Sequence, residues 1–307
     1  MNRTSADHVT LVEVGPRDGL QNEPVIVSSA VKIELVKRLA TAGLSHIEAT
    51  AFVSPKWVPQ MADSVDVMSA CASAPELAAI TLSALTPNIQ GFEAAMAAGA
   101  REVAVFASAS ETFSRRNINC SIEESLSRFD PVFQAAKEKG VPVRGYVSCV
   151  IACPYEGAID PRAVARVSRL LYEKGAREIS LGDTIGVGIP AKVKRMLETV
   201  STEVPVSALA GHFHDTYGMG IANIQAALDF GLRTFDSAVC GLGGCPYAAG
   251  AAGNVATEDV VYLLQDLGLR RDINLRSLVE TAAWIAQQLG HTDVSRVTRA
   301  LTGHGIL

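Results

Sequence analysis

Two histidines two residues apart close an apolar run, His212-Phe213-His214-Asp215. Side chains at i and i+2 of a strand share a face. His212 and His214 therefore project side by side, as two ligands of one cation must. A pair of buried, hydrogen-bonded structural histidines fits the same spacing. The run ends at Asp215-Thr216-Tyr217-Gly218, at the carboxyl end of a strand, where α/β proteins do their chemistry. Two imidazoles with carboxylate, amide and water oxygens suit a six-coordinate divalent ion such as Mg2+, Mn2+ or Co2+. Asp18 offers a carboxylate and Asn254 an amide oxygen. Read alone, the first also fits a turn and the second a helix cap. No H-E-x-x-H and no clustered thiolates mark a tetrahedral zinc hydrolase.

Arg17 stands beside Asp18 in Gly15-Pro16-Arg17-Asp18-Gly19. A guanidinium keeps its charge and holds an oxyanion by two hydrogen bonds, which suits a developing enolate. It also suits an ion pair to Glu48 or Asp183, and the two roles can coexist. Gly241-Leu242-Gly243-Gly244-Cys245-Pro246-Tyr247 reads as a mobile loop ending in a thiol. Cys245 is a nucleophile, a proton donor or a bystander there. With no histidine base adjacent, proton donor is the better of the active roles. A phosphate loop fits poorly without G-x-x-x-x-G-K-[ST].

The elements that must position these groups repeat. Strands are expected at Val9–Val14, His46–Thr50, Ile80–Ala84, Glu102–Ala107, Val143–Val150, Glu178–Leu181, Val206–His214 and Arg233–Val239. Helices between them include Ser29–Ala42, Asn88–Ala98, Ser121–Lys139, Pro161–Lys174, Ala191–Val200 and Ile221–Phe230. Ser121-Ile122-Glu123-Glu124 has the form of a capping box, and Asp160-Pro161 sets a cap before a first-turn proline. Gly43, Gly99, Gly175 and Gly231 each follow a helix and precede a strand. Eight such units in about 270 residues fit a closed (β/α)8 TIM barrel; a doubly wound open sheet is the alternative. The chain past about Leu275 reads as closing helices, and no linker divides residues 1–307 into more than one catalytic domain. Asp18, Glu48, Asp183, His212 and Cys245 then all fall at or just past carboxyl ends of strands and converge on one mouth.

Composition removes whole classes. The 307 residues are 48% hydrophobic with a net charge of −5, enough for a large core. No basic cluster offers a nucleic-acid footprint, and no apolar run reaches membrane-spanning length. The amino terminus lacks a secretory h-region, and the six cysteines are scattered, Cys149 and Cys153 being the nearest pair. They read as reduced thiols in the cytoplasm.

Several of these stretches resemble the 3-hydroxy-3-methylglutaryl-CoA lyase family. They are Glu13-Val14-Gly15-Pro16-Arg17-Asp18-Gly19-Leu20-Gln21-Asn22-Glu23, Ser180 to Gly186, His212 to Gly218, and Ser237 to Tyr247. Glu48-Ala49-Thr50, Phe52 to Trp57 and Asn117-Ile118-Asn119-Cys120-Ser121 also fit. The resemblance spans nearly the whole chain. It implies a TIM barrel that cleaves 3-hydroxy-3-methylglutaryl-CoA to acetyl-CoA and acetoacetate, in leucine degradation or ketone-body formation. By resemblance, Asp18, His212, His214 and Asn254 bind the divalent cation, Mg2+ or Mn2+. Arg17 stabilises the enolate, Cys245 protonates the carbanion, and Glu48 and Asp183 shape the polar site. Arg17, Gln21, Asn117, Ser121 and Thr184 meet the acyl-CoA substrate. A homodimer is expected. Pro24 departs from relatives that carry a basic residue near the CoA entrance, so one phosphate contact is in doubt.

The chemistry asks for loss of a proton from the tertiary hydroxyl before the C–C bond breaks, with Asp18 or His212 as acceptor. The same chemistry serves a longer 3-hydroxy-3-alkylglutaryl-CoA, such as the isohexenyl compound. A related Claisen synthase of the isopropylmalate type usually carries a further regulatory domain. A non-catalytic binding barrel would have lost Asp18, His212, His214 or Cys245.

Overall fold

The computed structural model describes residues 8–244, 253–292 and 294–303. Eight parallel strands form one closed barrel: β1 (Thr10–Glu13), β2 (His46–Ala51), β3 (Thr81–Leu85), β4 (Glu102–Ser108), β5 (Val143–Ser148), β6 (Glu178–Asp183), β7 (Leu209–Phe213) and β8 (Thr234–Ser237). Closure comes from β1 pairing with β8, with Glu13 opposite Ser237. The barrel excludes the open-sheet alternative. All eight expected strands are present; those at Thr10–Glu13, Val143–Ser148, Leu209–Phe213 and Thr234–Ser237 are shorter than their apolar runs. Val206–Ala208 is a 3-10 turn before β7, and Val239–Gly241 is another after β8.

Alternation along the strands separates two environments. Leu11, Ile47, Leu82, Ile179, Leu181, Phe213 and Phe235 are buried in one continuous apolar core, formed where strands meet helices. The interior holds polar side chains instead: Glu48, Arg144, Tyr146, Ser180, His212 and Asp236 all bond one another or their neighbours. Burial of apolar surface is the dominant favourable term in folding, and here it lies in the outer layer, apart from the polar interior.

The expected caps form. Ser121 and Glu124 complete the capping box of the helix Ile122–Arg128, and Asp160 accepts from Arg162 N. Gly43, Gly99, Gly175 and Gly231 have φ between 95° and 119°, a region closed to most side chains. The expected helix Ser121–Lys139 is two, Ile122–Arg128 and Asp130–Lys139. Pro131 has no N–H to continue the ladder and starts the second. Helices at Ser64–Ser73, Glu111–Ile118 and Thr257–Asp266 were not read from the sequence. Leu275–Leu289 and Arg296–Gly303 supply the closing helices. Among the described residues, no helix is long and apolar enough to cross a membrane.

Candidate active site

Gly15-Pro16-Arg17-Asp18-Gly19 leaves β1 as a π-turn. Three successive amides, from Arg17, Asp18 and Gly19, point at the single carbonyl of Val14, at 3.2, 2.7 and 3.1 Å. Such wide turns recur at functional sites because they swing adjacent side chains out of helical register. Here the turn presents Arg17 and Asp18 together to the barrel mouth. The β2–β3 register shifts between Glu48 and Thr50, a bulge of the kind that re-aims a side chain. Glu48 lies beside Arg17.

Arg17 Nε donates to Glu48 Oε2 at 2.8 Å, and Arg17 Nη2 lies 2.6 Å from the same oxygen. Arg17 Nη1 donates to Asp18 Oδ1 at 2.6 Å. The ion pair expected with Glu48 or Asp183 is therefore made with Glu48. A guanidinium has five N–H groups. Three are directed at these carboxylates, so among the described residues two remain for an incoming oxyanion. Glu48 Oε1 is buried with no hydrogen-bond partner among the described residues. Burial pushes the Glu48 carboxyl upward against the opposing pull of Arg17. Burial also disfavours a charged Asp18, but Arg17 and then His212 outweigh it and hold Asp18 down at about 2.

The two histidines meet Asp18 as their spacing predicts. Ligand atoms of Asp18, His212 and His214 all lie within 4.8 Å of one another. His212 Nε2 and His214 Nε2 are 3.3 Å apart. His214 is 9% exposed; burial first, and charge on His212 second, push it down to about 4. It is neutral at pH 7, with a lone pair to give. One carboxylate oxygen and two imidazole nitrogens gathered this closely fit a divalent cation.

His214 lies one residue past β7 and forms an isolated bridge with Asn254. Asn254 thereby reaches Asp18, but through its nitrogen: Nδ2 donates to Asp18 Oδ2 at 2.8 Å and to Leu242 O at 3.1 Å. The amide oxygen expected as a ligand would need the group turned over.

The remaining expected residues are less central. Asp183 ends β6, where Oδ2 accepts from Gly188 N at 2.7 Å and Oδ1 is buried without a partner. Burial raises it to about 6. Its hydrogen bonds organise the loop after β6, not the Arg17–Asp18 pair. Thr184 Oγ1 accepts from Cys149 N at 2.8 Å and steadies a residue with φ 63°. Gln21 is half-buried just past the π-turn, and Asn117 is exposed on the last turn of Glu111–Ile118. Ser121 is engaged as a helix cap. None of these last three bonds the Arg17–His214 cluster among the described contacts. Cys245 lies outside the described residues.

Sequence reading missed three interior groups, Arg144, Tyr146 and Asp236. Arg144 Nη2 donates to Asp236 Oδ1 at 2.6 Å and Nη1 to Tyr146 Oη at 3.1 Å, while Tyr146 Oη donates to Glu48 Oε2 at 3.1 Å. The signal was there. Arg144 and Tyr146 are two apart in an otherwise apolar strand, and Asp236 interrupts another.

The fold and the polar cluster define an enzyme of the (β/α)8 class, with its reactive groups at the carboxyl ends of the strands. Residues 8–285 match the family model HMGL-like. The hydroxymethylglutaryl-CoA lyase of Pseudomonas mevalonii is 57% identical over 293 residues, 95% of this chain and 96% of that one. The crystal structure of hydroxymethylglutaryl-CoA lyase from Pseudomonas aeruginosa has a TM-score of 0.93 at 55% identity, covering 97% of this chain and 98% of that one. An HMG-CoA lyase from Acinetobacter baumannii, in complex with coenzyme A and 3-methylmalate, has a TM-score of 0.90 at 36% identity, covering 97% and 96%. The chain belongs to the HMGL-like family.

Proposed function

We propose that this enzyme splits 3-hydroxy-3-methylglutaryl-CoA into acetyl-CoA and acetoacetate with a divalent cation, Mg2+ or Mn2+, and that residues 1–307 act as one catalytic domain. The observation that carries the reading is the convergence of Asp18, His212 and His214 next to an arginine with two N–H groups to spare. Asp18, His212 and His214 would hold the cation, with Asn254 beside them. When bound, it supplies Lewis-acid polarisation of the substrate's hydroxyl and carboxylate oxygens.

The chain's own residues do the rest. Breaking the C–C bond places negative charge on the thioester oxygen of the departing acetyl-CoA enolate. Arg17 is fixed by Glu48 and Asp18 before that charge appears, so it stabilises the enolate without reorganising. Glu48 orients Arg17 and keeps one free oxygen toward the polar interior. Asp183 sets the neighbouring loop, and Cys245 delivers a proton to the carbanion, a role that rests on the sequence. Gln21, Asn117, Ser121 and Thr184 are assigned to the acyl-CoA path on the family resemblance, which also supplies the homodimer. The relative that holds coenzyme A together with a hydroxy diacid supports an acyl-CoA substrate. We assign the cytoplasm on its scattered thiols, which suit a reducing compartment.

A panel of 3-hydroxy-3-alkylglutaryl-CoA thioesters tests the substrate. The methyl compound is expected to give the highest kcat/KM, with acetyl-CoA and acetoacetate formed one to one. A higher kcat/KM on the isohexenyl compound would move the assignment to the longer substrate.

A further inference from the structure

Asp236 lies on β8 opposite His212 on β7. Its side chain is 1% exposed, and donors surround it. Oδ1 accepts from Arg144 Nη2 at 2.6 Å, and Oδ2 accepts from Ser180 Oγ at 2.6 Å. The third partner is His212 Nδ1, 3.0 Å from Oδ2. A carboxylate held by a guanidinium and a hydroxyl has only lone pairs to offer. A bare Nδ1 at that distance would set lone pair against lone pair. The neutral ring must therefore carry its proton on Nδ1, which leaves the Nε2 lone pair to accept from His214 Nε2, 3.3 Å away, until a cation takes that proton's place.

We propose that Asp236 is a positioning residue that fixes the tautomer and the angle of His212, and so prepares the cation site before a cation arrives. A histidine ligand whose other nitrogen is bound to a carboxylate is oriented and made more basic by it. The anchoring extends further. Arg144 also donates to Tyr146 Oη, and Tyr146 donates to Glu48, the partner of Arg17. The Tyr146 ring stands edge-on to His212, with centroids 6.0 Å apart. Arg17 Cζ lies 5.4 Å from the same ring's centroid. One unbroken set of contacts therefore ties the cation half of the mouth to the oxyanion half, and Asp236 and Arg144 are its fixed point.

The inference rests on the reading of Asp18, His212 and His214 as cation ligands, and its test needs no substrate. Nitrogen-15 NMR of the metal-free protein is expected to show His212 as the Nδ1–H tautomer. Finding Nε2–H there would overturn the proposal, whatever any variant does. In Asp236→Asn the His212 signal should shift toward Nε2–H, and Mn2+ titrated alone should bind roughly 10- to 100-fold more weakly. A folded Asp236→Asn protein with wild-type Mn2+ affinity and an unchanged tautomer would also overturn it. If wild type fails to bind Mn2+ at all, the cation reading itself falls, while the tautomer measurement still decides the role of Asp236.

Discussion

Glu13 and Glu48 are both wholly buried near the same end of the barrel, and burial raises both carboxyl groups. They lie on opposite sides of the sheet wall. Glu13 points outward from β1 into the seam with β8. There Oε1 accepts from Gly15 N at 2.8 Å and from Val239 N at 2.9 Å, and Oε2 meets Thr257 Oγ1 at 2.6 Å. Every oxygen is used. Glu48 points inward, spends Oε2 on Arg17 and Tyr146, and leaves Oε1 without a partner among the described residues. Burial and a shifted pKa therefore do not separate a structural carboxylate from a working one. The two differ in the unused oxygen that Glu48 keeps, whose desolvation costs about 1–3 kcal/mol that an incoming group can recover.

The sharpest way to break this contrast is at the inward side. Arg17→Met should lose about 3–4 kcal/mol of transition-state stabilisation, read as a fall in kcat with KM little changed. A near-normal kcat would remove the oxyanion role. On the outward side, Glu13→Ala strips the acceptor from two buried amides and should cost roughly 3 kcal/mol of stability. In a domain of this size that lowers Tm by roughly 5 °C, while kcat per folded molecule stays within a few-fold.

Glu13 also predicts a pH signature. Its folded carboxyl sits at about 7, against an ordinary 4.5, with desolvation the main cause and the hydrogen bonds opposing it. The folded state thus holds the proton more tightly than the unfolded chain. That contribution, about 3 kcal/mol, is complete below 4.5 and is lost as pH rises through 7. Glu13→Gln mimics the protonated group, so its Tm should fall less than wild type's between pH 5 and pH 8. Equal slopes in the two proteins would contradict the assignment. Glu48→Gln, a smaller change, should lower kcat about tenfold or more and reduce Tm by less than Glu13→Ala does. A larger loss of stability than of activity there would erase the contrast.

The sequence made the outward layer easy to read and the inward layer hard. Helix–glycine–strand punctuation and apolar runs exposed the barrel, because core burial and backbone sterics leave marks at regular spacing. His212 and His214 were legible for the same reason, two residues on one strand face. Arg17 and Asp18 were legible as types, but the π-turn that aims them is not, since a wide turn differs from an α-turn by one hydrogen-bond partner. Asp236 and Arg144 were missed because their meaning lies in a contact between residues 92 apart in the chain. Asn254 was read as offering an amide oxygen to the cation, but which end of its amide faces Asp18 depends on Leu242 O, a partner the sequence does not reveal.

The proposed site of Asp18, His212 and His214 makes cleavage depend on the cation it holds. Its most direct test is turnover of 3-hydroxy-3-methylglutaryl-CoA by exhaustively chelated protein, with residual metal measured, before and after adding Mg2+ or Mn2+. No cleavage is expected without the cation, with recovery on adding it and no recovery in a folded His214→Ala variant at the same cation concentration. Full turnover by verified metal-free protein would contradict it.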